Sequence, residues 1–365
     1  MKLTCNKEKF AQLFALASSA ASLRDVKAVL QNVKLIASDG VVTLMATDMD
    51  ISVRLEMDGA TVPEPGETIL PTRLIRNSLQ ASNDSVFTLE SDGQRISLFG
   101  DRYAKIPTQP ADDFPDIPAF AADAYHEIPS RILREMIRRT TFAIELENTK
   151  YTLGGVLLEF TEGRVAAVAT DGRRLANQEA SGTGVGGHTS ENSAIVPLKA
   201  LTLLDKALGS DEEPVKVSVT GGKIAFACGL STLTTRLIEG RFPRWKNIVP
   251  NTEGRSKVDL MVGPFLQAVR QAEIVTTDKQ PGIFLDFSDN KLELSASGAE
   301  VGESRIELPV VYTGEKTRLK LEPRYLTDFL KTLDSDKVIA LYMKGDQSVL
   351  FQTDDGYNYV VMPLT

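Results

Sequence analysis

The sequence predicts an α+β fold repeated three times, each copy laying two helices on one face of antiparallel sheets. Three observations predict it. The chain has 365 residues, more than one core usually spans. One order of elements (strand, amphipathic helix, strand pair, second helix, hairpin) recurs at offsets of about 120 to 130 residues, a common domain size. Turn residues punctuate each copy at matching places. The copies are expected at 1–120, 121–250 and 251–365.

Each copy opens with a short strand and a helix, at 1–4 and 7–19, 124–128 and 130–142, and 257–262 and 264–276. A strand pair follows, whose second member reads VVTLMATD at 41–48, RVAAVATD at 164–171 and KLELSASG at 291–298. Apolar residues there alternate or run into a small-residue turn, as a half-buried strand requires. The second helix comes after an extended entry, at 70–80 (LPTRLIRNSLQ), 196–208 (VPLKALTLLDKAL) and 321–333 (LEPRYLTDFLKTL). Proline near the first helical position suits a helix start, where no N–H is needed. Hairpins close the copies, turning at Ser91-Asp92-Gly93, at Gly221-Gly222 and near Gly345. A last strand is expected to run into Phe114-Pro115, Phe242-Pro243 or Met362-Pro363. The Gly-rich stretch 181–188 reads as an exposed loop, and 107–118 and 250–255 read as linkers.

Composition narrows the function classes. An apolar fraction of 42% and a charged fraction of 25%, with no long apolar run, describe an ordinary globular chain without a membrane helix. Residues 1–10 have no apolar core behind Lys2, Lys7, Glu8 and Lys9, so no signal peptide is expected. Cys5 and Cys228 are too few for a disulfide framework or a four-ligand zinc site, which points to the reducing cytoplasm. Residues 182–187 match GxGxxG but lack the following helix a dinucleotide site needs. Asp112, Asp113 and Asp116 suit a solvated linker, and His126 and His188 lie far apart without zinc-type spacing. Asp171 beside Arg173 and Arg174 has neither a P-loop nor paired metal-binding carboxylates. No catalytic residue, metal site or cofactor is expected.

The net charge of −8 argues at first against a nucleic-acid partner, but its distribution is uneven. Helical windows at 7–27, 71–82, 129–141, 197–208, 263–279 and 323–334 hold sixteen basic and eight acidic residues, so they carry +8 and the rest of the chain −16. Arg131, Arg134, Arg138 and Arg139 form the densest group, joined by Arg24, Arg73, Arg76 and Lys199. Basic helices on acidic sheets suit a duplex met through one class of element. Six helices side by side around a ring leave a hole of about 9 Å, whereas twelve leave about 28 Å, enough for a duplex. The expected assembly is therefore a head-to-tail dimer forming a pseudo-sixfold ring.

The runs YTLGGVLLE at 151–159, VATDGRRLA at 168–176, EGRFP at 239–243 and YVVMPL at 359–364 resemble the bacterial DNA sliding clamp, the beta subunit of DNA polymerase III. MKLT at 1–4 and ADDFP at 111–115 are in the same style, so the resemblance covers the whole chain. It implies three clamp domains, a homodimer, and a non-catalytic processivity factor on double-stranded DNA bound without sequence specificity. The implied partners are the DNA polymerase III alpha subunit, the clamp loader, and other polymerases and repair proteins carrying clamp-binding peptides of the QxxLF kind. The place of action is the nucleoid.

Carried onto this chain, the resemblance implies a peptide pocket at Leu153, Thr170, Gly172, Arg173, Arg174, Leu175, Pro243, Ile248, Tyr325, Val360, Met362 and Pro363. Apolar walls with a polar rim suit such a peptide. The DNA-facing positions are Arg24, Arg73, Lys150, Tyr151 and Lys199, whose dispersed phosphate contacts would leave the protein free to slide. The dimer interface brings Ile274 and Val275 of one chain to Ala104 and Ile106 of the other. Leu321-Glu322, Asn247, the terminal Leu364-Thr365 and Ala104 depart from the family's usual residues. The competing reading is a non-catalytic three-domain scaffold that does not encircle DNA.

Overall fold

The computed structural model describes residues 1–22, 27–101, 103–146, 151–277, 281–298 and 301–364. Among them are six α-helices, two per predicted copy: α1 (Lys7–Ala20), α2 (Thr72–Ala81), α3 (Ser130–Thr140), α4 (Leu198–Ala207), α5 (Val262–Ala272) and α6 (Pro323–Leu330). α1 illustrates why the sequence forms them. The Asn6 side chain accepts the Lys9 N–H at 2.9 Å and caps the first turn. Phe10, Phe14 and Ala17 then recur at helical spacing, all buried, and Phe10 stacks on Phe87 at 4.5 Å. α3 and α5 stop short of the predicted ends and pass into 3-10 turns at Thr141–Ala143 and Glu273–Val275. No helix among the described residues is long and apolar enough to cross a membrane.

The chain divides into two compact units. One comprises Met1–Arg134, Gly182–Thr189 and Lys199–Leu237. Its five-stranded antiparallel sheet ends on Ala104–Pro107, with Arg95–Phe99 as that strand's neighbour. Its nine-stranded sheet runs through the boundary between the first two copies: Ser231–Arg236 pairs with Ile51–Met57, Leu233 opposite Val53. The other unit comprises Glu135–Ser181, Ser190–Leu198 and Ile238–Thr365. There, Arg174–Ser181 pairs with Tyr357–Val361, Leu175 opposite Val360, inside an eight-stranded sheet. The four-stranded sheet of this unit ends on Gly302–Pro309. Copies adjacent in sequence thus share hydrogen-bonded sheets.

Several expectations need correction. Only Tyr357–Val361 runs directly into its proline, Met362-Pro363; the corresponding strands of the other copies end at Pro107 and Arg236, short of Phe114-Pro115 and Phe242-Pro243. The stretch 107–118 is more than a linker, because Phe114 and Ile117 are buried with Val29, Leu30, Met45 and Ile69. Burying two large side chains offsets the entropy of holding this segment in place. The Gly-rich stretch is likewise not all loop: Thr183–Val185 pairs with Tyr125–Pro129. Gly186 permits this at φ +63, where a Cβ would come within 2.5 Å of the Asp123 carbonyl oxygen.

That pairing also brings together the chain's only two histidines. His126 and His188 are buried, with their Nδ1 atoms 2.8 Å apart. His188 Nε2 accepts the Val219 N–H at 3.0 Å, so in the neutral ring Nδ1 carries the proton and donates it to His126. Burial, then the neighbouring His126, lowers the pKa of His188.

Three of the four α3 arginines are paired within the chain, and only Arg138 is exposed with no ion pair among the described residues. Arg139 is buried, and its guanidinium meets Gln178 Oε1 at 2.6 Å, Glu135 at 2.7 Å and Asp355 at 2.9 Å. Arg134 pairs with Asp211 at 2.7 Å and Asp205 at 3.7 Å, and Arg131 lies 3.6 Å from Glu212. A count of charges along a helix cannot see carboxylates delivered from distant segments.

Candidate functional site

The predicted pocket residues all fall in the second unit, and a tight turn organises them. Gly172 sits at φ +90, and its N–H donates to Thr170 Oγ1, which in turn donates to the Arg174 carbonyl at 2.6 Å. Asp171 accepts the main-chain N–H groups of Arg173 and Arg174 through Oδ1, and Arg174 Nε through Oδ2 at 2.9 Å. Arg174 is only 8% exposed. It donates to Asp328 Oδ2 at 2.8 Å and to the Phe142 carbonyl at 2.7 Å, and its guanidinium lies 4.6 Å from the Tyr325 ring centre. Burial works against its charge, but Tyr359, Asp328 and Asp171 more than offset this and hold the guanidinium protonated. Arg174 is therefore a buried strut beneath the site.

Leu153, Leu175 and Val360 share one apolar cluster with Val168, Ile195, Leu350, Phe242 and Trp245. Close backbone approach helps build it: a Cβ on Gly155 would come within 2.5 Å of the Val196 carbonyl oxygen. Over this floor the large apolar groups reaching solvent are Ile248, 42% exposed, and Met362, 56% exposed; Pro243 and Pro363 are half-buried. Two main-chain bonds pin the C-terminal tail, Met362 N–H to the Arg173 carbonyl at 2.9 Å and Leu364 N–H to the Lys320 carbonyl at 2.7 Å. Tyr325 is buried, with its carbonyl accepting the Tyr359 hydroxyl at 2.9 Å. The sequence reading missed Asp171, Asp328, Phe242 and Trp245. The TDGRR run signals the first through its turn chemistry, and the FPRW run signals the last two through paired aromatics.

The other predicted positions are distributed over the chain. Arg24 and Lys150 lie outside the described residues; Tyr151 opens the 3-10 turn Tyr151–Leu153, and its side chain lies outside them as well. Arg73 is exposed in the first turn of α2, one helical turn before Arg76, which is also exposed. Lys199 is exposed on α4, and its Nζ donates to Asp48. Ala104 and Ile106 belong to the strand at the end of the five-stranded sheet, where they border an apolar groove of about 410 Å³ with Leu74, Phe99 and Tyr103. Ile106 is already buried within its own unit. Ile274 is 75% exposed, whereas its neighbour Val275 is buried.

Three two-helix domains on shared antiparallel sheets define the DNA sliding clamp class. The N-terminal, central and C-terminal domain models of the DNA polymerase III beta subunit match residues 1–118, 127–244 and 246–365 in that order. The chain belongs to the DNA polymerase III beta subunit family, and its role is that of a processivity clamp. It is 28% identical over 372 residues to the beta sliding clamp of Pseudomonas putida and 27% identical over 374 residues to that of Escherichia coli K12, with all of each chain covered. A solved sliding clamp of Pseudomonas aeruginosa with ligand has a TM-score of 0.90 at 25% identity, covering 100% of both chains. A Pseudomonas aeruginosa clamp bound to griselimycin has a TM-score of 0.92 at 26% identity, covering 100% of this chain and 99% of that one.

Proposed function

We infer that two copies of this chain, each divided at 1–120, 121–250 and 251–365, close head to tail into a ring around duplex DNA. The ring tethers the replicative polymerase, catalyses nothing, and acts at the nucleoid in the cytoplasm. The match of all three domain models in order along the whole chain carries this reading. The sheet edges support it. Copies one and two share a sheet, as do copies two and three, and Ala104–Pro107 and Gly302–Pro309 are end strands with pairing groups to spare. Pairing them between two chains would repeat the pattern, and exposed Ile274 would meet the apolar groove beside Ala104 and Ile106.

Within the ring, Arg24, Arg73, Lys150, Tyr151 and Lys199 face the phosphates. The cleft from Leu153 to Pro363 receives QxxLF-type peptides of the DNA polymerase III alpha subunit, the clamp loader, and other polymerases and repair proteins. Its exposed Ile248 and Met362 above an apolar floor support that use, as does the solved relative that holds griselimycin. Retention on DNA tests the whole reading. Clamp assembled on a nicked circular duplex should resist a high-salt wash and leave once the circle is linearised. Equal loss from circular and linear DNA contradicts encirclement.

A further inference from the structure

The floor of the docking site is apolar, and its exposed rim is rich in arginine. The carboxylates nearby point inward and are engaged. Asp171 and Asp328 both bond Arg174, and buried Glu159 lies 3.4 Å from Lys246 Nζ. Glu322 is half-buried, and burial pushes its carboxyl above the usual range, although the Arg324 main-chain N–H and the charges of Arg324 and Arg173 work the other way.

The rim cations point outward. Arg173, Arg244 and Arg324 are exposed, and among the described residues no carboxylate lies within ion-pair distance of their side chains. Each adjoins a different wall of the site. The Arg173 carbonyl accepts the Met362 N–H, Arg244 precedes Trp245 of the apolar cluster, and the Arg324 guanidinium sits 6.0 Å from the Tyr325 ring centre. In a chain of net charge −8, three guanidiniums without an ion pair stand around one apolar cleft, against the single half-buried carboxyl of Glu322, which acts on Arg324 and Arg173 from beyond ion-pair distance.

We propose that the partner segment taken by this site carries Asp or Glu residues flanking its apolar anchors, and that Arg173, Arg244 and Arg324 select it. The proposal rests on the docking reading above and adds the chemistry of the occupant. Exposed cations held in no close ion pair attract an acidic flank without first breaking such a pair, and they repel a basic flank. Exposed pairs are individually weak, so three together are worth about tenfold in affinity, and salt screens them.

Three labelled peptides that share one QxxLF core, with flanks of Glu, Ser or Lys, are titrated with the full chain by fluorescence polarisation at low and high salt. The Glu-flanked peptide should bind about tenfold tighter than the Ser-flanked one at low salt and the Lys-flanked one weakest, with the spread collapsing at roughly 0.5 M salt. The R244E/R324E variant should reverse the order of the Glu and Lys peptides, and the milder R244Q/R324Q variant should narrow their gap. Equal binding of all three peptides at low salt overturns the acidic-flank proposal while leaving the docking reading intact. Binding of none of them overturns both.

Discussion

Arg174 and Asp328, 154 positions apart in sequence, meet at 2.8 Å and tie the turn of the second copy to α6 of the third. The same guanidinium holds Asp171 and the Phe142 carbonyl, so one side chain fixes the turn, the helix and the adjoining 3-10 segment. Truncating it strands two carboxylates in a largely buried place. R174A should therefore cost about 3–5 kcal/mol of stability, as broken buried pairs do. Urea denaturation checks this, and a loss below about 1 kcal/mol would mean that the pair contributes no more than a surface one.

Met362 and Pro363 of the C-terminal tail are proposed to line the docking site, and the tail is held by two main-chain bonds. A chain ending at Val361 should lose QxxLF-peptide binding while its mass in light scattering stays that of the parent. Undiminished peptide affinity in the truncated chain would remove the tail from the site.

Ile274 is the exposed apolar residue proposed to meet the groove of a second chain. I274D leaves its own unit's core untouched, because the side chain is 75% exposed. It should weaken the dimer by about 2 kcal/mol or more, the size of an interface hot spot. Light scattering across a dilution series should then record the 39.8 kDa single chain at concentrations where the parent gives twice that mass.

Arg73 and Lys199 should contribute unequally to DNA binding. Arg73 stands exposed on α2, whereas the Lys199 ammonium already shares its charge with Asp48. R73A should lower the slope of log affinity against log salt by about 1, and K199A by less. Filter binding or fluorescence anisotropy over a salt series separates the two. Equal slopes would mean that the Asp48 pair does not survive on DNA.

Burial pushes the Cys5 thiol up to about 12. The unfolded thiol ionises near its ordinary value of about 8.5, so the folded value is the raised one. Stability from the neutral buried thiol is thus fully present below pH 8.5 or so, and falls as the pH rises towards 12, by about 1.4 kcal/mol per pH unit. Urea midpoints at pH 8 and pH 10 should diverge more for the parent than for C5A. Parallel profiles would contradict the assigned shift.

Much of the fold is legible in the sequence because it is local. Phe10, Phe14 and Ala17 announce α1, and Gly221-Gly222, both at positive φ, announce a hairpin. What periodicity cannot encode is which distant edge a strand finds. Leu233 opposite Val53 and Leu175 opposite Val360 join copies through registers set by long-range packing. The same limit hid the His126–His188 contact and the internal pairing of Arg139. At the proposed docking site the sequence points to residues that the structure gathers in one apolar cluster, Leu153, Leu175 and Val360. The buried part played by Arg174 emerges only once Asp328 and Tyr325 are seen around it.

The central claim is topological, and particle images test it most directly. Class averages of the purified chain by electron microscopy should contain a closed six-lobed ring whose hole, about 28 Å by the packing of twelve helices, admits a duplex. A dimer imaged as a solid particle, without a central opening, would contradict it.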